Sequence, residues 1–281
     1  MFDTVVHKWF RVPYPLHVRL FRPVKHARVT YLFIHGIGDT GAMWQPLVDS
    51  LPDSIQYVAV DLLGFGESPS PRWSNYTAAV HARSILATFL TLRITTPVII
   101  VGHSLGSLVA VEFAKRYPYL VKRLVLCSPP IYEPIKENGH TLKKPAMLRF
   151  LYQQAAKDPR IIVNSYGLGK KLRVINSSLN VISENVDLFV RTLEQSIINQ
   201  TTIDDITKLR EPVTIVTGAF DPFVVNATLV KLSRASSTVR VKTIVASHIV
   251  NKTYQKELLK ELGFISPPSH LTRPQRHKQI R

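Results

Sequence analysis

Residues 98–117 read Val-Ile-Ile-Val-Gly-His-Ser-Leu-Gly-Ser-Leu-Val-Ala-Val-Glu-Phe-Ala-Lys-Arg-Tyr. The first four are uninterrupted apolar, which suits a strand buried on both faces of a sheet. From Leu105 to Tyr117 the apolar positions take up helical spacing. Between them stands Gly102-His103-Ser104-Leu105-Gly106. A strand that turns sharply into a helix with a serine at the corner is the context of a nucleophile elbow, where flanking side chains would crowd the backbone. The helix N-terminus behind the serine favours developing negative charge. The pentapeptide alone arises by chance in roughly one chain of this length in ten. Its setting between strand and helix is what makes Ser104 a candidate nucleophile rather than a capping serine.

Outward from this point the same rhythm recurs. Apolar strand runs stand at Leu16–Phe21, Val29–Ile34, Tyr57–Val60, Leu124–Leu126, Val213–Val216 and Val239–Val245, the last alternating like an edge strand. Helical patterns run over Trp44–Leu51, Thr77–Leu92, Val225–Ser233 and Asn251–Leu262. Alternating strands and helices predict an α/β fold, a mostly parallel sheet with helices on both faces. The rhythm breaks over 129–205, where Met147–Lys157 and Asn185–Ile198 read as helices. This predicts a helical cap insert in a core made of 1–128 and 206–262. Apolar residues at helical spacing, such as Phe150 and Leu188, would mostly dock it on the sheet. Residues 263–281 read as a basic, disordered tail with Arg273, Arg276, Lys278 and Arg281 and no acid.

A second glycine-rich loop, His35-Gly36-Ile37-Gly38-Asp39, follows the run that ends at Ile34. Such a loop lets backbone N–H groups approach a ligand closely. With Asp61-Leu-Leu-Gly64-Phe-Gly66-Glu-Ser68, and with Gly218-Ala-Phe-Asp221 followed by His248, it completes four blocks. Over roughly residues 14–262 the chain resembles the α/β-hydrolase fold superfamily, its capped serine-hydrolase branch in particular. The resemblance implies a triad of Ser104, Asp221 and His248, an oxyanion hole from the N–H groups of Ile37 and Leu105, and a structural role for Asp61–Ser68.

In that triad His248 takes the Ser104 proton and later protonates the leaving group. Asp221 holds the imidazole tautomer and stabilises the imidazolium. The family usually has glycine before the histidine, where this chain has Ser247, which bears on the pose of His248. The other nine histidines compete poorly. His103 and His35 sit where the family uses histidine for local structure. Serine at the elbow disfavours the dehalogenase and epoxide hydrolase reactions, whose nucleophile in this superfamily is aspartate. Hydrolysis of a carboxylic ester, thioester, lactone, amide or carbon–carbon diketone bond remains, on a substrate expected to be uncharged and largely apolar.

The net charge of +17 is uneven: residues 206–281 carry 13 Lys and Arg against 4 Asp and Glu, and 129–205 carry 10 against 8. A solvated basic face explains this, and so does an anionic partner of the C-terminal region, although no nucleic-acid motif accompanies it. The single Cys127 excludes an internal disulfide and reads as a buried thiol. The opening residues lack a signal-peptide pattern, and no apolar run is long enough to span a bilayer, so a cytoplasmic protein is expected. There is no metal-ligand cluster and no phosphate-binding glycine loop, so no cofactor is implied. Besides the hydrolase, two other functions remain open: a non-catalytic ligand-binding member of the fold, and an adaptor using the basic C-terminal region. The sequence leaves the oligomeric state open.

Overall fold

Alternate residues of each central strand face opposite cores. Leu32, Ile34, Val58 and Val60 face one apolar cluster, while Tyr31, Phe33, Tyr57 and Ala59 face the other. This is why the strands read as unbroken apolar runs rather than as alternating ones. The computed structural model describes residues 2–132 and 186–265. The readings that fall within 133–185, including the helix over Met147–Lys157, lie outside the described residues, as does the basic stretch 266–281.

The strands are β1 (Val18–Arg22), β2 (Thr30–Ile34), β3 (Gln56–Val60), β4 (Val98–His103), β5 (Val121–Cys127), β6 (Val213–Gly218) and β7 (Val239–Ile244). They form one seven-stranded sheet in the order β1-β3-β2-β4-β5-β6-β7. All neighbours are parallel except β1 and β3. The α/β class and the parallel sheet are as the sequence predicts, and β7 is an edge strand.

The labelled helices are α1 (Gln45–Val48), α2 (Ala78–Leu92), α3 (Leu105–Arg116), α4 (Val186–Thr192), α5 (Thr202–Ile206), α6 (Asn226–Ala235) and α7 (Lys252–Glu261). Helices α2, α3 and α6 cover one face, through Ile85, Val109 and Leu229 among others. Helices α1 and α7 cover the other, through Leu47 and Leu258. Burying a side chain such as Phe33, which is fully enclosed, stabilises the fold by about 2–3 kcal/mol.

Two elements differ in extent from their sequence reading. The helix expected over Trp44–Leu51 is a 3₁₀ turn (Gly41–Trp44) followed by only four α-helical residues. Pro52 disfavours helical backbone in the residue before it. Ser50 and Leu51 accordingly close the turn with tight bonds to the carbonyls of Leu47 and Val48, at 3.1 Å each. The pattern over Asn185–Ile198 begins as α4 but continues from Leu193 to Ile198 as a π-helix. Beyond α7, Gly263 takes a φ of 84°, and the Phe264 N–H bonds the Leu259 carbonyl at 2.8 Å. Phe264 then lies 5.5 Å from the Tyr31 ring, so the ordered chain runs past Leu262.

Candidate active site

The C-terminal ends of β2, β4, β5 and β6 lie side by side in the sheet, and each feeds a loop of the site. Ser104 follows β4 with φ 51° and ψ −119°, a left-handed conformation costly for any residue with a Cβ. The corner is held open by close backbone approaches. A Cβ on Gly102 would sit 2.4 Å from the Gly106 carbonyl oxygen, and one on Gly106 would sit 2.4 Å from that of Ile34. Both glycines are therefore required for room. The Ser104 N–H bonds the Cys127 carbonyl of β5 at 2.9 Å, and Ser107 Oγ donates to the Gly102 carbonyl at 2.8 Å. Ser104 is 6% exposed.

Asp221 and His248 meet in the structure. His248 Nδ1 lies 2.8 Å from Asp221 Oδ2. The carboxylate is enclosed, whereas the imidazole keeps 20% of its surface open. Asp221 Oδ1 also accepts the Phe223 N–H at 2.9 Å. Burial alone would raise this carboxyl, but bonds from His248, Ser128 and the Phe223 N–H, with the nearby imidazole, hold it below the usual carboxylate range. The tautomer with a proton on Nδ1 follows, which leaves Nε2 as the basic nitrogen. Among the described residues Ser104 Oγ makes no hydrogen bond to His248. Catalytic hydrogen bonds of this kind commonly tighten only once substrate is in place.

The unusual Ser247 costs the histidine nothing. Its side chain is exposed and its backbone takes no positive φ. The room is made by Gly218, where a Cβ would lie 2.4 Å from the Ala246 carbonyl oxygen and 2.6 Å from that of Ser247. His103 fixes the loop further, its Nε2 lying 2.9 Å from the His248 carbonyl oxygen, and burial lowers its pKa to about 3. The His103 and Phe223 rings each stand 4.9 Å from the His248 ring.

The Gly36–Gly38 loop closes on the elbow from the other side. A Cβ on Gly36 would fall 3.1 Å from that of Ser104. Among the described residues the N–H groups of Ile37 and Leu105 make no hydrogen bond, and Leu105 opens α3. His35 bridges loops: its Nδ1 bonds the Gly36 carbonyl at 2.7 Å, and its Nε2 accepts the Leu62 N–H at 2.8 Å. Asp61 is a structural hub, accepting from Arg19 at 2.5 Å, the Gly41 N–H at 2.8 Å and the Glu67 N–H at 3.0 Å.

Two residues behind the Asp221–His248 pair have no distinctive mark in the sequence. Ser128 follows β5 at φ 48° and bonds both Asp221 and Tyr254, the latter at 2.6 Å. Tyr254 is fully buried on α7, whose N-terminus Asn251 caps by accepting from the N–H groups of Thr253 and Tyr254. The available signal is position: Ser128 directly follows a parallel strand beside the one that leads to Asp221, at the C-terminal ends of the strands where α/β folds place ligands. Cys127 is buried, and burial pushes its thiol up. Among the described residues no three His, Cys, Asp or Glu side chains gather as a metal site.

A family profile described as the alpha/beta hydrolase fold matches residues 31–163. The chain is 36% identical over 114 residues to a probable lysophospholipase, BODYGUARD 2, of Arabidopsis thaliana, a match covering 39% of this chain and 24% of that protein. It thus aligns with about a quarter of that relative's length. Among solved structures it resembles a thermophilic esterase of Thermogutta terrifontis, with TM-score 0.66, 19% identity, and coverage of 86% of this chain and 90% of that one. An enol-lactonase of Burkholderia xenovorans gives TM-score 0.65 at 19% identity, covering 88% and 94%. Sheet order, family profile and structural neighbours agree that this chain is a protein of the α/β-hydrolase fold.

Proposed function

We propose that the chain is a serine hydrolase that cleaves a carboxylic ester or related carbonyl substrate through an acyl-enzyme. The observation that carries this reading is the strained serine turn set among loops that also hold an Asp221–His248 pair at 2.8 Å. In the first half-reaction His248 Nε2 accepts the Ser104 proton as Oγ bonds the substrate carbonyl carbon. The oxyanion takes hydrogen bonds from the Ile37 and Leu105 N–H groups. The bond from that carbon to the leaving group (oxygen, sulfur or nitrogen, or carbon in a diketone) then breaks, and the leaving group departs with the proton from His248. In the second half-reaction water gives a proton to His248, attacks the acyl carbon, and the proton returns to Ser104. Asp221 stays ionised throughout, which its depressed pKa favours.

The substrate is uncharged and largely apolar in this reading. Esters, thioesters, lactones, amides and carbon–carbon diketones share the same tetrahedral intermediate. A basic C-terminal region with an anionic partner belongs to the same proposal as a separate feature of the chain. The lack of a Ser104–His248 hydrogen bond is the one observation on the side of a non-catalytic binding protein.

A fluorophosphonate probe, read by intact mass, separates the two. Such a probe reacts with a serine activated by a base and an oxyanion hole. One adduct on the wild type and none on Ser104→Ala supports the hydrolase. A wild type that stays unlabelled at neutral and mildly alkaline pH supports the binding protein.

A further inference from the structure

Far along the chain from the elbow, residues 2–12 fold back on themselves as a built loop. A helical segment over Phe2–Trp9 is followed by Arg11, which turns with φ 55°. The Val12 N–H bonds the Val6 carbonyl at 3.2 Å, and His7 Nδ1 lies 2.7 Å from the Val12 carbonyl oxygen. The His7 ring stacks on Tyr14 at 3.6 Å, and the Tyr14 hydroxyl donates to Asp3 at 2.6 Å. That engages Asp3, the only acid in this segment.

The loop holds apolar side chains out in solvent. Trp9 is 77% exposed, Phe10 74%, Val12 46% and Val5 40%, and Trp73, 6.0 Å from the Tyr14 ring, is 40% exposed. Basic residues are interleaved with them. A cavity of about 400 Å³ beneath is lined by His7, Lys8, Arg11, Tyr14, Trp73 and Arg83 among others, and none of the described residues lining it is acidic. Lys8, Arg11 and Arg83 form no ion pair among the described residues.

We propose that residues 5–12, with Trp73 and Arg83, form a docking surface for an anionic lipid bilayer. Exposed Trp and Phe beside Lys and Arg on one amphipathic segment fit the headgroup boundary, where aromatic rings partition and cations meet lipid phosphates. The cationic cavity is placed to take a phosphate group between the aromatic flanks. Among the described residues no helix is long and apolar enough to cross a membrane, so this contact is peripheral. It uses residues other than the basic stretch 266–281, and it holds whether or not the chain is a hydrolase.

The test is co-sedimentation of the full chain with phosphatidylcholine vesicles, with and without phosphatidylglycerol. The wild type pellets with the anionic vesicles and is released by salt. Lys8→Ala with Arg11→Ala weakens partition by roughly tenfold or more at low salt, since each cation at the surface is worth about a fivefold factor. Trp9→Ser with Phe10→Ser weakens it by a similar order and also at high salt. All four positions are exposed, so an unchanged thermal midpoint serves as the fold control. Replacing Arg273, Arg276, Lys278 and Arg281 with Gln leaves the N-terminal contribution intact. Equal partition into neutral vesicles overturns the proposal. So does a wild type that stays in the supernatant, or binding that ignores the N-terminal variants and vanishes with the Gln replacements.

Discussion

Asp221 is enclosed and still charged because its bonding partners converge on it: His248 Nδ1, the Phe223 N–H and Ser128. An amide in its place would keep the volume but would offer a donor where the imidazole needs an acceptor. Asp221→Asn is expected to lower kcat by about 10⁴-fold with KM little changed, because it selects the wrong imidazole tautomer. Steady-state kinetics on any ester that the wild type turns over measures this. Behind the acid, Tyr254→Phe frees Ser128 from its 2.6 Å bond to the phenol. The expected result is a kcat drop of roughly tenfold or less with the fold intact, because the network loses supporting hydrogen bonds and not a reacting group. At this scale the strained Ser104 turn and the Asp221–His248 contact were legible in the sequence, since these residues fall at fixed offsets from strand runs. Ser128 and Tyr254 were not, because their meeting is a product of packing between chain segments 126 residues apart.

Among the elements, the junction of β4 and α3 is the tightest. Gly106 brings the first turn of α3 against the carbonyls of Ile34 and His35, with a Cβ there falling 2.4 and 2.6 Å from them. These are backbone atoms and have no side-chain rotamer to yield. Gly106→Ala is expected to cost about 2–3 kcal/mol by pushing α3 off the end of β2. The urea midpoint would fall with an unchanged slope, and probe labelling of Ser104 would weaken as the Gly36 loop shifts. The strands were readable because burial on both faces forces an unbroken apolar run, as at Leu32–Ile34. The helix after Trp44 was overread because its apolar spacing continues to Leu51, whereas α-helical winding stops at Val48 and Ser50 and Leu51 turn back onto the Leu47 and Val48 carbonyls. Switching from α4 to the π-helix at Leu193 changes the winding without changing the residue types, so periodicity could not reveal it.

The whole molecule carries an acid sensitivity built from buried imidazoles. Burial, with a neighbouring histidine adding, lowers His81 and His103 to about 3. Unfolded, both take up a proton near pH 6.5. Between those values the unfolded chain binds more protons, so stability falls as the pH is lowered from about 6.5. Asp61 and Asp221, held below their ordinary range, act in a lower window. Their stabilisation is complete above about pH 4 and disappears as the pH falls through their folded values. Urea midpoints measured stepwise from pH 7.5 downward are therefore expected to decline from about 6.5, well before the carboxylates titrate. His81→Leu should flatten the upper part of that decline. A profile level down to about pH 4.5 would mean that these rings find protons in the folded state. The charge of +17 steepens the same limb through self-repulsion.

The hydrogen bond from His103 to the His248 carbonyl spans 145 residues of chain. On the ribosome this separation becomes a delay. At roughly 5–20 residues per second, His248 leaves the peptidyl-transferase centre about 7–30 s after Ser104. At its start β4 is already made, while β6, Asp221 and the loop that carries His248 have still to be added. A nascent chain is thus unable to set an Asp221–His248 pair beside Ser104 until residue 248 has been translated. Pairing across such distances is also slow by nature. Reactivity towards an acylating probe is expected to return late in refolding, after the helical signal.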